Sequence, residues 1–192
     1  VLIVTAILGV FSINRLSIVN DGAVQISDNY LTSTTALSEV SSGALLYRQQ
    51  QAAHIVVSTP AEKAKRSESM AKAVEEADKG WSDYAPHIDA GYEKTTADKF
   101  HAEWATYLAM NDKLMALSNA NNTAAAVAFY TGEMMTQFNK FQTALKDDVA
   151  YQVRSGKQFA KDGADTYATA RNLIIGALVG ADEVDDRRNG GD

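Results

Sequence analysis

The chain has 192 residues, two prolines and no cysteine, and 46% of its residues are hydrophobic. This length suits one domain with a sizeable core, and the scarcity of proline among many helix-favouring residues predicts an all-helical fold. The absence of cysteine excludes a disulfide framework and a thiolate metal site. The formal net charge of -6 argues against a nucleic-acid partner, because such proteins usually present a basic face.

Apolar runs lie near both ends of the chain. The first, Val1–Ile13, is shorter than the roughly 20 apolar residues that a spanning helix requires, and it lacks the flanks of a signal peptide. We interpret it as part of a truncated transmembrane helix, and Leu173–Ala181 as the start of a second one. The alternative is that both runs are ordinary ends of core helices. Residues 182–192 are polar and acidic, and we expect a disordered tail added to the natural sequence.

The first predicted helix runs from about Leu16 to Ser58 and contains no proline. This helix has two stripes of apolar or small residues. The minor stripe, made of Leu31, Leu45 and Ala52, is interpreted as a contact with a partner subunit. Its main stripe of apolar or small residues has three- and four-residue spacing, which predicts a long helix in a bundle: Leu16, Val19, Ala23, Ile26, Tyr30, Ser33, Leu37, Val40, Ala44 and Tyr47.

The start of the second helix is the clearest boundary in the sequence. Thr59 and Glu62 have the spacing of a capping box, and Pro60 stands at the first helical position. Pro86 should end or kink this helix near Tyr84, because proline removes an internal hydrogen bond. The face predicted to be buried consists of Met70, Val74, Ala77, Trp81, Tyr84 and Ile88.

The third helix is predicted from about Ala97, after a cap at residues 95–98, to Ser118. The polar segment 119–123 then breaks the chain, and a fourth helix runs from about Ala124 into the last apolar run. The buried face of the third helix is predicted to be Phe100, Trp104, Tyr107, Leu108, Asn111, Leu114 and Met115. That of the fourth is Val127, Tyr130, Met134, Phe138, Phe141, Leu145, Val149 and Val153, extended by Gly163 and Tyr167.

Helix lengths predict the architecture. Beyond the apolar ends, the first and fourth helices extend roughly 65–70 Å and the middle two about 35–45 Å, at about 1.5 Å per residue. The predicted fold is therefore all-α: an up-down-up-down four-helix bundle, residues 14–172, whose long first and fourth helices continue into the truncated transmembrane segments 1–13 and 173–181.

Polar residues replace aliphatic ones on the inward face of the first helix within residues 44–58. Buried polar groups without partners are costly, so this replacement indicates a small-ligand pocket. The residues concerned are Tyr47, Arg48, Gln51 and His54. Arg48 can bind a carboxylate through two parallel N–H bonds, the alternative being an arginine that is exposed or paired with Glu62 or Glu68.

Further candidates come from the third helix, where Tyr107 and Asn111 face the same end of the bundle. The alternative for Asn111 is a register-setting role, as in coiled coils. His54 is alternatively a core or interface histidine whose hydrogen bonds are satisfied. Trp81 and Trp104 are predicted to be core residues.

Metal and catalytic chemistry are weakly supported. His87 and His101 flank the turn between the second and third helices, but a metal site normally needs three or four ligands, and Asp89 or Asp98 adds little. No Gly-rich phosphate loop, Ser/His/Asp set or Glu-x-x-His pair is present. We therefore predict no metal, no cofactor and no enzymatic activity.

The paired apolar ends, the helix lengths, the spacing Phe100-x3-Trp104-x2-Tyr107 and the Asn-rich break before Thr123 resemble the periplasmic four-helix-bundle sensor domains of bacterial methyl-accepting chemotaxis receptors. The resemblance covers residues 1 to about 180. It implies a homodimer anchored in the inner membrane through both ends, with its sensor domain in the periplasm. Such a domain binds a small organic acid or amino acid and passes a helix displacement across the membrane.

The resemblance also implies roles for particular residues. In the aspartate and serine receptors of this family, arginines near the top of the first helix clamp the ligand's carboxylates, and a threonine early in the fourth helix holds its amino group. Arg48 falls at the first of those arginines, and Thr131 falls near the threonine, beside Tyr130. The further arginines are replaced by Ala53, His54 and Val57, which favours a carboxylate other than an α-amino acid.

Two alternatives for the function of the chain stay open. The same domain serves some sensor histidine kinases and cyclic-dinucleotide enzymes, so the output module is not defined by this chain. The bundle is alternatively a docking site for a ligand-loaded binding protein.

Overall fold

The computed structural model describes the backbone of residues 2–189 and the side chains of residues 7–177, 179 and 180. Every regular element in that range is helical, which confirms the predicted all-α class. A π-helical segment, Ile26–Leu31, separates the first two α-helices, and a 3-10 turn, Ala85–His87, follows the third. The helices are α1 (Leu2–Gln25), α2 (Thr32–Val56), α3 (Pro60–Tyr84), α4 (Tyr92–Ala109), α5 (Asn111–Asn119), α6 (Thr123–Thr131) and α7 (Glu133–Asn189).

The chain divides into two compact units. One unit, Thr32–Val153, is the four-helix bundle, and the other comprises Val1–Leu31 and Arg154–Asp192. Helix α7 contributes its first part to the bundle and its remainder to the second unit.

Helices α2 and α3 pack antiparallel, with their backbones in close approach. A Cβ atom on Gly43 would lie 2.6 Å from the carbonyl oxygen of Ala73, and one on Gly80 would lie 2.7 Å from that of Ala36. Because these pairs advance in opposite directions along the two helices, they fix the direction of the second helix relative to the first. The absence of side chains at both glycines permits this spacing.

Aromatic rings join α4 to α7, which are also antiparallel. The ring centroids of Trp104 and Phe141 are 5.2 Å apart, and those of Tyr107 and Phe138 are 5.1 Å apart. The up-down-up-down topology of the bundle therefore follows the prediction. The largest apolar side chains that are nearly inaccessible to solvent are Tyr84, Tyr107, Phe100, Phe141, Leu37, Leu114 and Met134.

The predicted boundaries of α3 are confirmed. The Thr59 hydroxyl accepts a hydrogen bond from the backbone N–H of Glu62 at 3.2 Å and donates one to the Glu62 carboxylate at 2.7 Å. Pro60 is the first helical residue, and the helix ends at Tyr84, two residues before Pro86. The break before the fourth helix is also confirmed, since Asn122 caps the start of α6.

The third helix begins earlier than predicted, at Tyr92 instead of Ala97. The hydroxyls of Thr95 and Thr96 do not cap a helix end, because they donate to carbonyl oxygens four residues back, at 3.0 and 2.9 Å. The N-terminal cap is instead Gly91, whose φ of 99° is readily adopted by glycine.

The third and fourth helices each contain a break that the sequence did not predict, at Met110 and Gly132. At Gly132, φ and ψ of -97° and -96° leave the helical region, so the residues before it have a different helical phase from those after it. As a result Val127, predicted to be buried, is 42% exposed, and Phe129 is buried in its place. Val153, at the end of the bundle, is also 42% exposed.

In the second unit, Tyr30 packs on Phe159 with their ring centroids 5.4 Å apart. Leu16, predicted to lie on the buried stripe, is 69% exposed, and the apolar residues Val10 and Ile13 before it are exposed as well. The predicted stripe is therefore buried from Tyr30 onward and not at its start.

No helix within residues 2–189 is both long and apolar enough to cross a membrane. The assignment of residues 1–13 and 173–181 to membrane spans stays a prediction, and Val1 lies outside the described residues. Helix α7 is described to Asn189, and the assignment of residues 182–192 to an added tail stays a prediction. Residues 190–192 of the predicted tail also lie outside the described range.

Candidate functional site

Three polar residues of α2 are buried at successive three-residue intervals. Arg48 is 7% exposed, Gln51 is 0% exposed and His54 is 2% exposed. Residues at this spacing share one face of a helix. Each of the three has a polar partner on another helix, as buried polar side chains normally do. The predicted polar stretch is therefore a real, internally bonded feature of the bundle.

The Arg48 guanidinium is held by neutral groups. Its Nη1 donates to the Tyr107 hydroxyl at 2.9 Å, and its Nη2 donates to the Tyr130 carbonyl oxygen at 3.4 Å and to the Met135 sulfur at 3.3 Å. The guanidinium carbon lies 4.0 Å from the centroid of the Tyr130 ring and 5.0 Å from that of Phe138. Since α6 ends at residue 131, its last carbonyls lack partners within the helix, which leaves the Tyr130 carbonyl available.

No carboxylate among the described residues forms an ion pair with Arg48. Glu62 accepts from the Thr59 hydroxyl at 2.7 Å, and Glu68 pairs with Lys72 at 2.7 Å, so the alternative pairing of Arg48 with either glutamate is wrong. Burying a cation without an anion is costly, and the aromatic faces offset only part of that cost. The site therefore presents a positive charge that favours an anion.

A directed chain of hydrogen bonds leads away from Arg48. The Tyr107 hydroxyl accepts from Arg48 and donates to Gln51 Oε1 at 2.5 Å, and Gln51 Nε2 donates to Asn111 Oδ1 at 2.9 Å. Burial raises the pKa of Tyr107 to about 12, even though the nearby guanidinium of Arg48 lowers it. Tyr107 therefore stays a neutral donor at physiological pH.

His54 and Ser118 exchange two hydrogen bonds near the loops at this end of the bundle. The Ser118 hydroxyl donates to the His54 carbonyl oxygen at 3.0 Å, so the 2.8 Å contact with His54 Nδ1 requires that this nitrogen carry a proton. Burial, and secondarily the nearby charge of Lys63, lowers the pKa of His54. The His54 ring is therefore neutral at pH 7.

Lys63 is a buried cation that the sequence analysis did not single out. Its ammonium group donates to the Ser118 carbonyl oxygen and, at 2.8 Å, to Asn121 Oδ1. These contacts satisfy the C-terminal end of α5, where the helix dipole favours a positive charge. Lys63 thus ties the start of α3 to the end of α5 and encloses His54.

The contacts of the other predicted site residues differ: Tyr47 and Tyr130 lie in the cluster, and Thr131 does not. Tyr47 is buried with its ring centroid 5.6 Å from that of Trp104, and burial raises its pKa. The Tyr130 hydroxyl donates to the Arg48 carbonyl oxygen at 3.0 Å. Thr131 is exposed and donates to a backbone carbonyl four residues earlier at 2.8 Å, so the structure does not bring it into the cluster.

Some of the missed residues carried a signal in the sequence. Lys63 lies seven residues before the buried Met70, and Ser118 lies four residues after the buried Leu114, so helical periodicity places both on inward faces. Met135 carried no such signal, because its contact with Arg48 depends on the break between α6 and α7.

The two histidines considered for a metal lie on different elements, His87 in the 3-10 turn and His101 in α4. The His101 ring stacks on Trp81, with their centroids 4.0 Å apart. Within the part of the chain that the structure describes, no group of three or more histidine, aspartate or glutamate side chains is arranged to hold a metal ion.

The four-helix bundle thus contains, at one end, a buried guanidinium that pairs with no carboxylate among the described residues. Residues 1–167 match the family described as the four helix bundle sensory module for signal transduction, and the chain belongs to that family. The family is an extracellular sensory module of membrane receptors, including chemotaxis receptors, and is not an enzyme family. The resemblance found in the sequence is thereby confirmed. A comparison with curated proteins gives no match.

Proposed function

We propose that this chain is the extracytoplasmic sensor domain of a transmembrane chemoreceptor and that it binds a small carboxylate, an organic acid or an amino acid, at Arg48. The observation that carries the proposal is the buried guanidinium, which has only neutral partners among the described residues. A carboxylate would supply the missing negative charge and form bonds roughly twice as strong as neutral ones.

The contact that a carboxylate would replace most easily is the one with Met135. A thioether is a weak hydrogen-bond acceptor, and Met135 is 38% exposed, unlike Arg48 itself. We infer that the ligand enters on this side, displaces the Met135 sulfur and binds Nη2, with Tyr107, Gln51 and Asn111 supplying neutral hydrogen bonds. Tyr47 and His54 shape the pocket, and Thr131 contributes only if it rotates inward.

The proposed signal is a change in how α2 meets α6 and α7. Arg48 belongs to α2, whereas the Tyr130 carbonyl and the Met135 sulfur belong to the other two helices. A ligand that exchanges these contacts binds one helix arrangement better than the other, which is the thermodynamic requirement for a signal. In this proposal α7 carries the displacement toward the inner membrane from the periplasm.

The proposed receptor is a homodimer. The predicted subunit contact includes Leu45, which is 49% exposed, while the adjacent Ala44 is buried in the core. An exposed leucine beside a core position on the same helix supports a second packing face.

A thermal-shift screen of the purified domain against organic acids, aromatic acids and amino acids tests the carboxylate site. At a concentration 100-fold above Kd, a true ligand should raise Tm by at least about 5 °C. Arg48→Ala should abolish that increase. Arg66→Ala is the matched control, because Arg66 lies at the same end of the bundle but bonds only Gln50 at 3.3 Å.

Retention of the Tm increase in the Arg48→Ala variant would overturn the site. A domain that no carboxylate stabilises, but that binds a ligand-loaded binding protein, would favour the docking alternative instead. The full-length protein is alternatively a sensor histidine kinase. A phosphotransfer assay on the full-length receptor distinguishes a histidine kinase from a chemoreceptor.

A further inference from the structure

A second buried polar cluster lies in the bundle, at the end opposite Arg48. It consists of Tyr84 on α3, Glu93 on α4, and Asp148 and Gln152 on α7, all exposed by 1% or less. The Tyr84 hydroxyl oxygen lies 2.7 Å from Asp148 Oδ2 and 2.9 Å from Glu93 Oε1. Two carboxylates are thus buried against one hydroxyl, and no cation among the described residues is bonded to either.

Counting hydrogens shows that this cluster is one proton short if both carboxylates are ionised. The Tyr84 hydroxyl has one hydrogen, yet it is within hydrogen-bond distance of two carboxylate oxygens. One of those two contacts therefore needs a hydrogen from the carboxyl side. Two carboxylate charges buried against the same hydroxyl also repel each other strongly, which favours a single shared proton.

The hydrogen-bond partners indicate which carboxyl group holds the proton. Glu93 accepts from the Tyr84 hydroxyl, from Gln152 Nε2 and, at 3.0 Å, from the backbone N–H of Asp89, so its negative charge is well solvated. Asp148 has only the contact with Tyr84, and its Oδ1 is buried without a partner. A neutral Asp148 donating to Tyr84, which in turn donates to Glu93, satisfies every close contact.

No cation among the described residues is bonded to Asp148, and on the neighbouring helices the exposed Lys79 and Lys94 pair with Asp83 and Asp98. The buried ionisable residues of α2 lie at the other end of the bundle, around Arg48. His87 is half-buried in the turn after α3, whereas Lys146 and Asp147 on α7 are exposed to water. Burial, and secondarily the charge of Glu93, raises the pKa of Asp148 to about 6, although the hydrogen bond from Tyr84 lowers it.

We propose that Asp148, Tyr84 and Glu93 form a proton-binding site that holds one proton between α7 and the α3–α4 pair. Release of that proton leaves two buried negative charges at this end of the bundle, one on Glu93 of α4 and one on Asp148 of α7. The site therefore makes the packing of α7 dependent on the pH outside the cell, independently of any ligand at Arg48.

The sign of the pH effect follows from linkage. Asp148 binds its proton more tightly in the folded state than in the unfolded state. The stability it contributes is therefore complete below the unfolded pKa of about 3.9 and is lost as the pH rises through about 6. His54 acts in the opposite direction, because its lowered pKa makes folding less favourable as the pH falls below about 6.5. The difference in stability between the natural protein and a variant at Asp148 does not include the His54 contribution, because both proteins contain His54.

The test is thermal unfolding of the whole chain from pH 4.5 to pH 7.5, comparing the natural sequence with Asp148→Asn. The asparagine keeps a donor toward Tyr84 and cannot ionise. We expect the Tm of the variant, measured relative to that of the natural protein, to rise by about 5 °C between pH 4.5 and pH 7.5. His87→Gln is the control and should keep the natural pH profile.

Carbon-13 NMR of the aspartate carboxyl groups provides a readout that does not require a variant to fold. The Asp148 resonance should titrate near pH 6, and in Glu93→Gln it should titrate at lower pH, because the repelling charge is removed. A midpoint near pH 4 in the natural protein would overturn the proposal, as would an unchanged Tm profile in a folded Asp148→Asn variant.

Discussion

At the scale of single residues, the main feature of the candidate site is a mismatch between charge and partners. Arg48 is buried, and three neutral atoms accept its hydrogen bonds: the Tyr107 hydroxyl, the Tyr130 carbonyl oxygen and the Met135 sulfur. Neutral acceptors keep the guanidinium oriented without neutralising it. A buried cation without a paired anion reduces the stability of the bundle, and the anion proposed to bind Arg48 would remove that cost.

Tyr107 is the residue through which Arg48 and Gln51 are connected. Tyr107→Phe keeps the buried ring and removes the hydroxyl, which leaves Arg48 Nη1 and Gln51 Oε1 each without that partner. We expect the free energy of unfolding to fall by about 1–3 kcal/mol, the cost of unsatisfied buried polar groups. Urea denaturation measures the change.

The control for this prediction is Tyr92→Phe. Tyr92 is 55% exposed, so removing its hydroxyl should change the unfolding free energy by less than about 0.5 kcal/mol. Equal effects of the two substitutions would show that the Tyr107 hydroxyl contributes nothing specific.

At the scale of elements, the site depends on how closely α2 approaches α3. The glycines at 43 and 80 permit backbone contact, which keeps α2 in register with its neighbour. The breaks at Met110 and Gly132 then adjust the other two helical segments, and each lies within two residues of a site residue, Asn111 or Tyr130. The cluster around Arg48 therefore lies between a closely packed helix pair and two helices that are interrupted beside it.

Gly43→Ala tests the close approach. The added Cβ would lie 2.6 Å from the carbonyl oxygen of Ala73 and 2.6 Å from the backbone nitrogen of Ala77, so α2 and α3 must move apart. We expect a loss of about 1–3 kcal/mol in the free energy of unfolding, although alanine favours helix formation more than glycine. Ser42→Ala, on the exposed side of the same turn, should be nearly neutral. A stabilised Gly43→Ala protein would contradict the packing described.

The fold and the location of the site could be predicted from the sequence because both depend on local signals. Periodicity, the cap at Thr59 and the position of Pro86 defined α3, and polar residues on an otherwise apolar face located Arg48, Gln51 and His54. The breaks at Met110 and Gly132 could not be predicted, since no proline marks either of them and a single glycine is tolerated inside a helix. The burial of Phe129 instead of Val127 is a consequence of the break at Gly132.

The partners of the site residues were harder to predict than their positions. The stacking of Tyr130 on Arg48 and the contact with Met135 depend on the geometry of three helices at once. The cluster around Asp148 was missed for a different reason. An acidic residue on a helix seam is usually treated as solvated, and only the packed bundle shows that Glu93 and Asp148 share the Tyr84 hydroxyl.

At the scale of the whole molecule, the chain combines a four-helix bundle with a second unit formed by its two terminal segments. Helix α7 belongs to both, and it carries Met135 and Phe138 near Arg48 as well as Asp148 in the second cluster. A ligand at Arg48 and a proton at Asp148 would therefore both act on the same helix. This arrangement fits the family's role in signal transduction.

A crystal structure of the domain with the carboxylate that stabilises it most would show whether Arg48 anchors an anionic ligand. We predict a ligand carboxylate oxygen within about 3 Å of an Arg48 guanidinium nitrogen, with the Met135 sulfur displaced from Nη2. A ligand bound elsewhere, with the contacts of Arg48 to Tyr107, Tyr130 and Met135 unchanged, would contradict this role of Arg48.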